Sequence, residues 1–191
     1  ITMAELCEMF TVDKVHSSPA RFDMKKLEAI NGDKIRALTL DEFLKWSLPF
    51  LTSAGVITGT DSEIALVKQA LPLIQERIVK LDEVPAMLRF LFVKNFAVEE
   101  ASLSKVTDSA SKDVLKRTLA ELTPLATWNH DSIEAALRAS LIEEMGLKPR
   151  IAFGAVRIAT TGSTISPPLF ESMELLGKES SLARIAAAID L

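Results

Sequence analysis

Residues 60–81 read TDSEIALVKQALPLIQERIVKL, and their spacing decides the fold class. Ile64, Val67, Leu71, Ile74, Ile78 and Leu81 recur every three or four residues. On a helix of 3.6 residues per turn they form one stripe, suited to packing on a core. Thr60 and Glu63 have the spacing of a capping box, in which each side chain takes up a backbone N–H that the first turn leaves without a partner. The pattern predicts a helix over 61–81. Pro72 lies inside it, donates no N–H and crowds the preceding turn, so a kink or a division into two helices is expected there.

Helical spacing recurs along the chain. Pro85 suits the first turn of a short helix over 86–93. Asp131 as cap, Glu134 three residues on, and Ile133, Leu137, Leu141 and Met145 along one side predict a helix over 131–145. Gly146 suits the left-handed position after its last turn. Ser166 precedes Pro167-Pro168 and a helix that runs to Leu176, with Gly177 just past its end. An alanine-rich helix is expected over 180–189. Alternating apolar and polar runs are scarce and no internal repeat is visible, so the fold is predicted to be all-α. The breaks divide the chain into a short unit over 1–41, holding Pro19 and Asn31-Gly32, a helical bundle over 42–95, and a second over 96–191 that divides again near 122–130.

Composition bounds the function. The 191 residues, 48% hydrophobic and 25% charged, can bury one good core or two small ones. Net charge is −4, so contact with nucleic acid would have to be local and shape-driven. A lone cysteine, Cys7, makes no internal disulfide; a reducing, cytoplasmic setting and a buried, hydrophobe-like role are expected for it. No run of 18 apolar residues exists, so no membrane span is expected. Position 1 is not Met, and no basic start with a long apolar run follows, so the chain reads as a segment of something longer.

Catalytic constellations are missing. Two histidines, His16 and His130, and one cysteine do not make a zinc site of ordinary spacing. There is no Gly-x-Ser-x-Gly elbow, no phosphate-binding Gly-x-x-x-x-Gly-Lys loop and no Gly-x-Gly-x-x-Gly. His130 beside Asp131 reads as a helix entry rather than a general base, and His16 as a loop or surface residue. No catalytic residue and no metal site is assigned.

Three stretches resemble the C-terminal half of bacterial glutamyl-tRNA synthetases. The first is Phe10-Thr11-Val12-Asp13-Lys14-Val15, then Ser18-Pro19-Ala20-Arg21-Phe22-Asp23-Met24-Lys25-Lys26-Leu27 and Asn31-Gly32. It is similar to the end of that family's stem-contact region. The second is Glu83-Val84-Pro85 leading to Arg89-Phe90-Leu91-Phe92, which looks like the family's Phe-rich helix after a Pro turn. The third is Val156-Arg157-Ile158-Ala159-Thr160-Thr161-Gly162, Ser166-Pro167-Pro168-Leu169-Phe170, then Leu175-Leu176-Gly177-Lys178-Glu179 and Arg184-Ile185. It resembles the family's Arg-x-Ala-x-Thr-Gly and Leu-Gly-Lys-Glu signature and is the most specific of the three.

The resemblance implies helical anticodon-binding subdomains over 42–95 and 96–191, preceded by a stem-contact remnant over 1–41. It implies a fragment that is inactive alone and needs no cofactor. The intact parent, a glutamate–tRNA ligase, would use ATP and Mg²⁺ in a separate N-terminal domain whose His-x-Gly-His-type and Lys-Met-Ser-Lys-type motifs do not occur here. The implied partner is tRNA-Glu, with no DNA or membrane partner, for a monomeric cytoplasmic protein. Arg77 matches the family arginine that reads the third anticodon base, with glutamine there in members of relaxed specificity. Arg157 matches an arginine at the first base, Ser166 and Leu169 match residues lining the same pocket, and Arg138 matches an arginine at the middle base.

The residues themselves leave other readings open. Arg77 suits a solvated or ion-paired arginine as well as a base reader whose guanidinium presents planar donors. Ser166 suits a helix cap, and the free N–H groups of the helix it opens suit an acceptor on a phosphate or base. Residues 138–191 carry equal numbers of basic and acidic side chains, so recognition there would rest on splayed bases and pocket shape. Phe90, Phe92, Phe96, Phe153 and Phe170 have core spacing, and Trp46 and Trp128 read as packing residues. The alternative is a helical protein–protein interaction module without RNA binding, consistent with the acidic balance and high apolar fraction.

Overall fold

A computed structural model of the chain describes residues 2–14, 21–93 and 96–191. His16 and the Ser18-Pro19-Ala20 part of the first motif lie outside the described residues. The described residues form helices, turns and loops, with no strand among them. In order they are α1 Met3–Met9, α2 Met24–Arg36, α3 Leu40–Ser53, α4 Asp61–Ala70, α5 Pro72–Gln75 and α6 Val84–Leu88. Then follow α7 Glu100–Thr107, α8 Ser109–Leu122, α9 His130–Leu137, α10 Pro149–Thr161, α11 Leu169–Leu176 and α12 Lys178–Ile189. None of these helices is long and apolar enough to cross a membrane.

The helix expected over 61–81 is shorter and broken. Thr60 and Glu63 make the capping box at α4, and Pro72 starts α5 as a separate single turn. Proline donates no N–H to the carbonyl four residues back, so the helical ladder breaks here. The apolar stripe still faces inward: Ile74 and Ile78 are buried although Ile78 lies past the helix. The expected 86–93 helix becomes α6 and a 3₁₀ turn, Arg89–Leu91. Over 131–145 the cap is Asn129, not Asp131: its side chain accepts from the Ser132 N–H at 2.8 Å. Asp131 instead lies in the first turn, where a carboxylate faces the positive helix end. Beyond α9 the backbone widens to a π-helix, Arg138–Glu144, before Gly146 turns it at φ +64°.

Asn31-Gly32 does not interrupt the chain. It lies inside α2, where Asn31 Nδ2 donates to the Val79 carbonyl at 2.5 Å. Gly32 lets neighbours close in: an added Cβ would stand 3.1 Å from the Arg36 guanidinium and 3.2 Å from Val79 Cγ1.

Two apolar clusters hold the molecule. The first joins Ile35 of α2 to Phe43, Leu51, Leu71, Ile74, Val84 and Leu88. The second joins Leu115, Leu122, Ile133, Leu137, Leu141, Val156, Met173 and Ile185. Each fully buried side chain of this size contributes about 1.5–3 kcal/mol. Leu175 of α11 packs on the first cluster while Met173 and Leu169 of the same helix belong to the second, so α11 ties the two together. Trp128 packs on the second cluster and donates Nε1–H to the Met173 carbonyl at 2.9 Å. Trp46 is 54% exposed and Cys7 is exposed, against the expectation that both are buried. Neither side chain belongs to either cluster or packs against it.

Candidate functional site

Arg157 organises the site from α10. Pro149 opens that helix and Gly162, at φ +85°, closes it in the left-handed conformation. The turn that follows carries the chain back along the helix, so that Arg157 Nη1 donates to Ser166 Oγ at 2.5 Å and to the Pro167 carbonyl at 2.7 Å. The half-buried guanidinium is thereby aimed by two acceptors of one loop.

Ser166 does not cap α11. That helix begins at Leu169 behind Pro168, with no side-chain cap, and Ser166 Oγ donates to the Pro167 carbonyl at 3.0 Å. Pro167 and Pro168 have no N–H to offer, so of the amides expected at 166–169 only those of Ser166 and Leu169 can donate. Leu169 is only 4% exposed and its side chain belongs to the second cluster. A leucine opening a helix beside two prolines is drawn into the core by its apolar area.

Arg77 lies in the turn after α5, not on a helix, and is exposed. The Arg157 guanidinium is held below the usual arginine range, first by burial and then by Arg77, while Glu171 opposes both. Arg77 belongs to the part of the chain packed around the first cluster and Arg157 to the second. Both side chains are cationic and so favour an anionic or acceptor-rich ligand.

Arg138 stands apart from that pair. It bonds Glu134 Oε1 through Nε at 2.6 Å and lies 5.6 Å above the Phe153 ring. Phe153 meets Phe170 edge-on, with centroids 5.2 Å apart. Phe153 and Arg157 are one turn apart on α10, so the two arginines flank a single helix face. Phe90 is buried, and Phe92 packs on the first cluster.

Arg157 also lines a groove of about 830 Å³ with Phe153, Gly154, Arg150, Lys105 and Thr164. Gly154 leaves open space where a side chain would stand. The basic residues Lys105 and Arg150 were not among the sequence candidates. The signal for Arg150 was its seven-residue spacing from Arg157, two turns along one face. Lys105 has no such signal, because it reaches the groove from α7 by tertiary packing. On the opposite side, Ser166, Thr161, Gly162, Phe96, Phe90 and Arg89 line a smaller cleft of about 410 Å³.

An all-helical body that sets cationic side chains around a half-buried acceptor loop is the form of a helical RNA-recognition module. Residues 40–189 match the model of the anticodon binding domain, and the chain belongs to that family. It is 45% identical over 191 residues to the glutamate–tRNA ligase of Saccharopolyspora erythraea, a match covering 98% of this chain and 38% of that protein. With the glutamate–tRNA ligase of Arthrobacter sp. (strain FB24) the identity is 47% over 195 residues, covering 97% of this chain and 38% of that protein.

The glutamate tRNA ligase of Elizabethkingia meningosepticum, solved in complex with its amino acid, shares the fold with a TM-score of 0.76 at 20% identity. That match covers 100% of this chain and 37% of the other. Glutamate-tRNA synthetase of Elizabethkingia anophelis gives 0.74 at 21%, covering 100% and 36%. The chain thus spans less than two fifths of the length of the curated relatives it matches. The family that the three sequence stretches resemble is the family found.

Proposed function

We propose that this chain reads the anticodon of tRNA-Glu on behalf of a glutamate–tRNA ligase, and that the attachment of glutamate with ATP and Mg²⁺ occurs elsewhere in a longer protein. Among the described residues no three His, Cys, Asp or Glu side chains gather in a way that suits a metal ion, so these residues do not fit Mg²⁺.

The observation that carries the reading is Arg157, half-buried on α10 and aimed by its hydrogen bonds to Ser166 and the Pro167 carbonyl. Arg77 is an exposed cation on the part of the chain packed around the first cluster. A guanidinium presents planar donors to the acceptor edge of an unstacked base. In this reading Arg77 reads the third base, Arg157 with Ser166 the first, and Arg138 the middle one. Binding energy at the anticodon would then position the acceptor end of the tRNA far away. The protein would act as a cytoplasmic monomer.

Titration of the chain with unmodified tRNA-Glu transcript in modest salt tests this. Saturable binding that weakens when the third anticodon base is changed is expected; absence of saturable binding overturns the reading. One observation favours the alternative of a protein-interaction module: Met3, Leu6, Met9, Phe10, Phe22 and Leu27 are all exposed. Absence of RNA binding would leave that reading standing.

A further inference from the structure

Arg184 lies outside the Arg77–Arg157 site, yet its side chain touches three parts of the molecule. From α12 it donates Nη1–H to the Thr160 carbonyl at 2.8 Å, in the last turn of α10. Its Nη2–H donates to the Phe90 carbonyl at 2.9 Å, 94 positions away in the first half of the chain. Its guanidinium carbon stands 4.0 Å from the centroid of the Phe96 ring, on the segment that joins the halves. The guanidinium is half-buried and its partners are two carbonyls and a ring. The site is suited to a planar cation. Each Nη faces a carbonyl in a different half, and the flat face lies on the connecting ring. Nearby, the Glu99 N–H donates to the Gly162 carbonyl at 2.9 Å, holding the start of the second half against the end of α10. An added Cβ at Gly162 would stand 3.1 Å from the Ala97 carbonyl oxygen.

We propose that Arg184 is a positioning residue that sets the orientation of the first helical half, which carries Arg77, against the second, which carries Arg157. Its contacts to Phe90 and Thr160 lie on the two sides of the seam that the anticodon-reading arginines must bridge. The effect on RNA rests on the function proposed above; the effect on orientation does not. Lysine keeps the charge but presents a single ammonium, which cannot serve both carbonyls and the ring together. Arg184→Lys therefore separates geometry from charge.

The test uses the whole chain in a Cys7→Ser background with spin labels on cysteines at the exposed positions Lys45 and Lys116. The inter-label distance distribution is measured for the parent, Arg184→Lys and Phe96→Leu, beside thermal unfolding. Broadening or a shifted mean in Arg184→Lys, with a smaller change in Phe96→Leu, is expected. An unchanged distribution in both variants overturns the proposal. Phe96→Leu keeps the guanidinium and decides the question if Arg184→Lys does not fold. Discrimination between tRNA-Glu transcripts differing at the third anticodon base is expected to fall about tenfold in Arg184→Lys. If the parent binds no transcript, the anticodon reading fails while the distances still judge the clamp.

Discussion

Arg157 and Ser166 stand nine residues apart in the chain and 2.5 Å apart in space, joined by a hydrogen bond from Nη1 to Oγ. The serine hydroxyl is spent on holding an arginine, and through it on the Pro167 carbonyl that the same arginine reaches. Ser166→Ala removes one acceptor and leaves the other. Stability is expected to change by about 1 kcal/mol or less, while affinity for tRNA-Glu transcript falls several-fold because the guanidinium loses its aim. Chemical denaturation and filter binding on the same preparation check both.

Arg77→Gln is expected to act on recognition alone. The residue is exposed in a turn, so its removal changes stability by about 0.5 kcal/mol or less. In the full-length parent, charging of tRNA-Gln should rise relative to tRNA-Glu. An unchanged ratio would remove Arg77 from the site.

Glu63 gives α4 an acid-sensitive start. Its Oε2 accepts from the N–H groups of Thr58, Gly59 and Thr60 and from two threonine hydroxyls. The bond from the Thr60 N–H leads in holding its carboxyl down at about 2, against an ordinary value of 4.5. A depressed carboxylate stabilises the fold above the unfolded value and ceases to do so as pH falls through the folded one. Glu63→Ala should lower Tm at pH 7, and its gap from the parent should close between pH 4.5 and 2 in calorimetric scans.

His130 enters α9 with Nδ1 at 2.7 Å from Glu174 Oε2, and its N–H donates to the same oxygen at 2.9 Å. The hydrogen bond to Glu174 raises the imidazole above its ordinary 6.5. A raised histidine stabilises the fold fully below 6.5 and loses that contribution as pH rises through the folded value. Imidazole resonances followed by NMR should titrate above 6.5 and move back down in Glu174→Gln. A titration at 6.5 in both would exclude the pair in solution.

Gly162→Ala places a side chain at φ +85° and within 3.1 Å of the Ala97 carbonyl. The backbone conformation alone costs about 1–2 kcal/mol, and the carbonyl must also give way. A Tm loss larger than that of Gly154→Ala, whose Cβ would meet open space, is the expected result.

Several features of fold and site were legible because their causes lie within a few residues. Thr60 and Glu63 are three apart and make their box by themselves. Gly146 and Gly177 end their elements at positive φ, as their placement after apolar-periodic runs predicts. Pro72 divides its helix because a missing N–H acts on the turn before it. Legibility fails where two local signals compete. Asn129 rather than Asp131 caps α9, since both residue types cap well and only backbone conformation chooses between them. Asn31-Gly32 gives no local sign that it lies inside α2 or that the asparagine meets the Val79 carbonyl, 48 residues away.

By itself the sequence determined the helical class, the placement of the main breaks and the presence of Arg77, Arg157 and Ser166 in a family-like order. Periodicity, capping and proline chemistry act over one or two turns, so they can be read without coordinates. Only tertiary structure decided that Leu169 is core, that Ser166 holds an arginine instead of capping a helix, and that Arg184 joins Thr160 to Phe90. Those outcomes depend on which apolar faces bury against which, a choice made among residues up to 94 positions apart that no local pattern encodes.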